Sequence, residues 1–239
     1  MEKSFFIKTP DKKRIYARLV GNMKKPAVVV VHGLFGSMRS ALVYNSANYL
    51  NKKGFSVLLV ELYGWKEGSR RLKDCTLKVH GQDIDTVIRY LRKCGAKKIF
   101  ITGHSYGAPS IMHSVNKDFA AVVFWDGSYH RVTNNSFRGY KKIKGLNIRI
   151  NDEGSLLGED MYQEAKHVDS LKLVKELRVP IKFITAGTGP LLQAEKQMYQ
   201  AANYPKEHIV IKGATHSFEE EGKQDQVYSE TVKWFKKFV

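Results

Sequence analysis

The stretch IFITGHSYGAPS, Ile99 to Ser110, decides how the rest of the chain reads. An apolar run ends in Gly103-His104-Ser105-Tyr106-Gly107 and passes at once into small residues. By itself a Gly-x-Ser-x-Gly pattern is weak, because composition alone produces it in roughly one chain in ten of this kind. Its position is what makes it informative: Ser105 follows a buried strand and precedes a helix. In so tight a turn the serine takes a strained backbone conformation, and the flanking glycines remove the clashes. The turn lifts the hydroxyl above the C-terminal edge of the sheet, where open α/β sheets place their ligands. Ser105 is either a spacer or a nucleophile, and the surrounding chain decides.

Outward from this point, strands and helices alternate. Upstream, SFFIKT and RIYARLVG flank a polar PDKK and read as an antiparallel hairpin. AVVVVHG is continuous and apolar, as a strand covered on both faces must be. A helix ending at Gly54, the strand FSVLLVELYG and a long helix ending at Gly95 lead back to Ile99. Downstream come the strand AAVVFWD, the helix DSLKLVKEL, the strand PIKFITAG and a helix from about Leu191 to Ala202. The strand EHIVIKG and the helix DQVYSETVKWFKKF follow. About eight strands in this order predict an α/β fold: a mostly parallel sheet with helices on both faces, in a single domain spanning 1–239. The segment from about 127 to 166 breaks the rhythm and is too long for a bare loop, so a small cap after the sixth strand is expected there.

At 239 residues, 43% hydrophobic and 26% charged, the chain has the balance of a globular domain. Its longest aliphatic run, Ala27 to Val31, is far short of the roughly 20 residues that span a membrane. The N-terminal MEKSFFIKTPDKK lacks the apolar stretch of a secretory signal, so a cytoplasmic location is expected. Two cysteines, Cys75 and Cys94, form neither a disulfide framework nor a zinc motif, and they read as reduced thiols. The net charge of +17 comes from lysines scattered along the chain, with one dense patch, RGYKKIKG from Arg138. That distribution reads as a solvated surface and gives no nucleic-acid motif.

A serine hydroxyl needs a base to take its proton. Of the eight histidines, His216 in IVIKGATHSF lies in the loop after the last strand, at the same sheet edge as Ser105. His104 sits in the turn itself with its side chain directed away from that of Ser105. His80 and His113 lie on helices, and His130 and His167 belong to the expected cap. The loop VVHGLFGS after the third strand brings backbone N–H groups towards the point faced by the Tyr106 N–H. Leu34 and Tyr106 are therefore the expected oxyanion donors, with His32 bracing the loop. Phe35, Trp125, Tyr129, Leu156 and Met161 are the expected pocket residues. For the cap side chains among them, glue between cap and body is the equal alternative.

Taken together, the loop His32-Gly33-Leu34, the Gly103 to Gly107 turn, the cap and the terminal histidine loop resemble the α/β-hydrolases, over Met1 to Val239. Within that family the chain is similar to small carboxylesterases, including acyl and cinnamoyl or feruloyl esterases. The resemblance implies a triad acid, commonly after the seventh strand in a G-x-x-D pattern. Here that place reads ITAGTGPLLQAEK, with Pro190 where the aspartate is expected and Glu195 as the nearest acid. The family's other acid position, the end of the sixth strand, offers Asp126. Asp126 is the expected acid, with Glu195 as the alternative. Glu61, after the fourth strand, is read as bracing the loops through a buried pair.

The expectation is a serine esterase acting on a small-molecule carboxylic ester through Ser105, His216 and Asp126, with no cofactor and no metal. Thioester and lactone substrates remain open on the same triad, as does a non-catalytic ligand-binding member of the fold. A nucleotide-binding reading of Gly187-Thr188-Gly189 lacks its third glycine and comes late in the chain.

Overall fold

The structure is a computed structural model that describes residues 2–129, 137 and 139–239. Eight strands form one sheet: β1 (Glu2–Lys8), β2 (Arg14–Val20), β3 (Ala27–Val31), β4 (Ser56–Glu61), β5 (Ile99–His104), β6 (Ala121–Trp125), β10 (Ile181–Ala186) and β11 (Lys206–Ile211). Their order across the sheet is β1-β2-β4-β3-β5-β6-β10-β11. β2 pairs antiparallel with both β1 and β4, and every pairing from β4 to β11 is parallel. The C-terminal ends of β3, β5, β6, β10 and β11 consequently lie along one edge.

Alternation along the strands splits the core into two layers. Val29, Val31, Ile101 and Phe124 pack on one face with residues of α2 (Leu77–Lys93), α3 (Gly107–Met112), α5 (Ser170–Glu176) and α6 (Leu192–Ala201). Val28, Val30, Phe100 and Trp125 pack on the other with α1 (Ala41–Lys52) and α7 (Lys223–Lys236). Each such fully buried side chain stabilises by about 1.5–3 kcal/mol relative to exposure. This is why the central strands read as unbroken apolar runs.

The longest helix follows from local signals. The Thr76 hydroxyl caps α2 by accepting from the Val79 N–H at 3.1 Å. Ile84, Val87, Ile88 and Leu91 form its buried stripe, and Gly95, at φ 89°, ends it.

In the arrhythmic segment a second sheet forms from β7 (Lys141–Lys142), β8 (Ile148–Ile150) and β9 (Leu156–Gly158), followed by α4 (Glu159–His167). It packs on the 3-10 turn Leu72–Asp74 so closely that a Cβ on Gly158 would meet the Lys73 carbonyl oxygen. Tyr106, Leu157 and Met161 share a small apolar cluster with Cys75 and Leu77. Among the described residues, no helix is long and apolar enough to cross a membrane.

Candidate active site

Ser105 stands between β5 and α3 with φ 53°, the left-handed region that L-residues rarely adopt. The packing around it explains both glycines. A Cβ on Gly103 would come within 2.7 Å of the Gly107 carbonyl carbon and of Ile111 Cδ1. One on Gly107 would come within 2.8 Å of the Val31 carbonyl oxygen. The Ser105 N–H donates to Trp125 O at 3.0 Å, and the Ser128 N–H donates to Ser105 O at 3.1 Å. The turn is thus stitched to the segment that follows β6.

That segment carries Asp126, fully buried and also left-handed at φ 44°. Its Oδ1 accepts from the Ala186 N–H at 3.0 Å, and its Oδ2 lies 2.6 Å from His216 Nδ1. His216 keeps 40% of its side chain exposed while Asp126 keeps none, so the imidazole reaches from solvent into a buried carboxylate. The loop bearing His216 is held twice. The Thr188 N–H and hydroxyl both donate to Ala214 O, at 3.1 and 2.6 Å. His104 Nε2 lies 2.8 Å from His216 O, so the His104 ring donates there. Burial pushes the His104 imidazole down to about 3, which keeps it neutral.

The Ser105 hydroxyl lies 3.2 Å from Ser128 Oγ, and no hydrogen bond joins it to His216. Nothing in the sequence pattern pointed to Ser128 beyond its place two residues after Asp126.

On the other side of Ser105 runs the loop after β3. A Cβ on Gly33 would sit 3.0 Å from Ser105 Cβ, so the absence of a side chain lets the two backbones meet. His32 braces this loop: its Nδ1 donates to Gly33 O at 2.8 Å, and its Nε2 accepts from the Leu62 N–H at 3.2 Å. Burial lowers the His32 imidazole to about 4. Among the described residues the Leu34 N–H donates to no partner. Tyr106 opens α3 directly after Ser105.

Six non-glycine residues among those described have positive φ, and four of them, Phe35, Ser105, Asp126 and Phe218, occupy the four loops at this edge. Strain of this kind persists only where the surroundings impose it.

Glu195, the alternative acid, does not reach His216. It is fully buried, and its Oε1 accepts from the Gly127 N–H at 2.6 Å and from the Tyr129 hydroxyl at 2.9 Å. Burial, and after it the charge of Asp126, push its carboxyl well above the usual carboxylate range. Two neighbouring carboxyls cannot both ionise cheaply, so Glu195 favours the neutral form.

Three expected pocket residues are corrected. Trp125 is fully buried on the α1/α7 face, where strand alternation directs it, and its Nε1 donates to Thr231 Oγ1. Tyr129 is fully buried against Glu195, and Met161 is fully buried in the cluster behind Tyr106. Phe35 and Leu156 do line a cavity. The expected buried pair of Glu61 is absent: half-buried, it has no ion pair among the described residues, and burial raises its carboxyl. His130 and Arg138 lie outside the described residues. Among the described residues no group of three or more His, Cys, Asp or Glu is placed to hold a metal ion.

A family model for the alpha/beta hydrolase fold matches residues 26–114. No curated protein matches the chain. Among solved structures, it is similar to Est1E from Butyrivibrio proteoclasticus with ferulic acid bound, at 17% identity and TM-score 0.83 over 98% of both chains. The esterase domain of a Rhodothermus marinus protein matches at 17% identity and TM-score 0.78, over 100% of this chain and 99% of that one. Dienelactone hydrolase from Anabaena variabilis matches at 16% identity and TM-score 0.74, over 100% of this chain and 98% of that one. The chain has the α/β-hydrolase fold.

Proposed function

We propose that the protein is a serine hydrolase of carboxylic esters, with Ser105 as nucleophile, His216 as base and Asp126 as the acid that orients it. The observation that carries this reading is the 2.6 Å contact between His216 Nδ1 and the buried Asp126 Oδ2, beside a serine held at φ 53° on the same sheet edge. With Nδ1 engaged by the carboxylate, Nε2 is the nitrogen left to take a proton.

Rotation about Ser105 χ1 carries the hydroxyl from Ser128 to His216. Oγ then attacks the ester carbonyl as His216 takes the proton, and the backbone N–H groups of Leu34 and Tyr106 hold the oxyanion. Collapse expels the alcohol, which leaves with the proton from His216. Water then attacks the acyl-enzyme by the same route and frees the acid and Ser105. The small sheet β7–β9 and α4 act as a cap over this edge. The similarity to structures of an esterase domain and of a ferulic acid complex supports an ester substrate. The dienelactone hydrolase neighbour favours a second reading, a lactone opened by the same three residues.

A fluorophosphonate probe followed by peptide mapping tests this. Stoichiometric labelling of Ser105 is expected. A folded sample that is not labelled, or is labelled at another serine, points instead to a ligand-binding protein without catalysis.

A further inference from the structure

A cavity of about 620 Å³ opens where the loops after β3 and β4 meet the small sheet, with Phe35, Tyr63, Trp65, Arg71, Leu72 and Leu156 in its wall. That volume suits a small organic ligand. It lies close to Ser105. Phe35 is two residues beyond Gly33, about 7 Å of chain at most, and Gly33 touches Ser105. The Tyr63 hydroxyl donates to Gly33 O at 3.1 Å. Two wall residues, Phe35 and Tyr63, are thus tied to the backbone at Gly33 that faces Ser105.

The wall is aromatic and aliphatic except for two cations. Lys73 is engaged by Asp74 at 2.7 Å. Arg71 is half-buried and differently placed. Its Nη1 donates to Gly64 O at 2.7 Å, and its guanidinium stacks 4.9 Å from the ring centre of Trp65, whose indole is 89% exposed. Among the described residues no carboxylate pairs with Arg71, and its Nε and Nη2 make no hydrogen bond. Glu61, the acid at the end of β4, is influenced by Arg39 and Lys66 instead. A guanidinium fixed by a backbone bond and a stacked ring has already lost much of its freedom, and its open edge matches the fork of a carboxylate.

We propose that this cavity is a subsite for an apolar acyl group that ends in a carboxylate, with Phe35, Trp65 and Leu156 flanking the group and Arg71 binding its charged end. The assignment rests on the reading of Ser105 as nucleophile, since it is the ester carbonyl at Ser105 that brings the acyl group here.

The test uses para-nitrophenyl esters of phenylpropanoic acid and of its para-carboxy analogue at about 0.15 M ionic strength, where long-range charge effects are screened within roughly 8 Å. The native protein is expected to prefer the carboxylate ester in kcat/KM by about tenfold or more. In Arg71→Met that ratio falls towards one, and Arg71→Lys keeps only part of it. A preference that survives in Arg71→Met and fades as salt is raised would come from the +17 surface and would overturn the subsite. So would no preference in the native protein.

Calorimetry separates this idea from the catalytic one. The free para-carboxy acid is titrated into Ser105→Ala, with and without Arg71→Met. Binding at least tenfold weaker without Arg71 is expected, and equal binding overturns the subsite however well esters are hydrolysed. Arg71-dependent binding in a protein that hydrolyses neither ester would overturn the role of Ser105 alone.

Discussion

Asp126 and Glu195 lie side by side in the interior, yet only Asp126 touches His216. The first accepts from the imidazole at 2.6 Å, and the second accepts from the Gly127 N–H, one residue further along. Asp126→Asn therefore lowers kcat by on the order of a hundredfold or more, because an amide favours the wrong imidazole tautomer. Glu195→Gln changes kcat by less than about threefold, since an amide oxygen accepts the same two bonds that the neutral carboxyl accepts. Steady-state kinetics on an aryl ester with matched melting curves checks both. Retained activity in Asp126→Asn with loss in Glu195→Gln would reverse the assignment.

His104 acts on the same imidazole through its backbone, donating to the His216 carbonyl at 2.8 Å. His104→Ala removes that tether and lowers kcat by roughly tenfold, while probe labelling still maps to Ser105. An unchanged kcat would show that the Thr188 bonds alone hold the loop.

The turn at Ser105 tolerates no side chain on either flank. Gly103→Ala or Gly107→Ala destabilises by about 2–4 kcal/mol, because the clashes fall on backbone atoms that cannot move aside. Urea unfolding measures this. A loss below half a kcal/mol would mean that the strand and helix are free to separate.

Burial sets the acid limit of stability. It lowers the imidazoles of His32, His80 and His104 to about 4, 3 and 3, against 6.5 in an unfolded chain. Below 6.5 the unfolded state takes up protons that the folded state refuses, so stability falls as pH falls from 7 towards 4. The slope reaches up to about 4 kcal/mol per pH unit with three such groups. Glu195 has the opposite sign. Its raised carboxyl contributes stability that is complete below 4.5 and is lost as pH rises, so Glu195→Gln gains on native protein at alkaline pH. Urea midpoints at pH 5, 6, 7 and 8 read both effects. A flat profile from pH 7 to 5 would contradict the burial of the three histidines.

What the sequence determined by itself is whatever neighbouring residues impose on one another. Unbroken apolar runs such as Ala27 to Val31 follow from strands covered on two faces, and the alternation with helical spacing follows from chain geometry. The Gly103 flank of Ser105 was legible for the same reason, since the clash that it relieves is with Gly107 and Ile111 just beyond the turn, whereas Gly107 makes room for the Val31 carbonyl of β3. Tertiary structure decided the pairings between distant segments. Asp126 and His216 are 90 residues apart, and which of two acids reaches the imidazole depends on where α6 docks, not on any local pattern. Burial turned Glu195 from a candidate acid into a hydrogen-bond acceptor for Gly127 and Tyr129. Asp126 faces the histidine because, past the end of β6, a left-handed turn directs its carboxylate between the Ala186 N–H and His216. The cavity beside Arg71 exists only because two loops and the small sheet converge, and a linear chain carries no record of the space left between them.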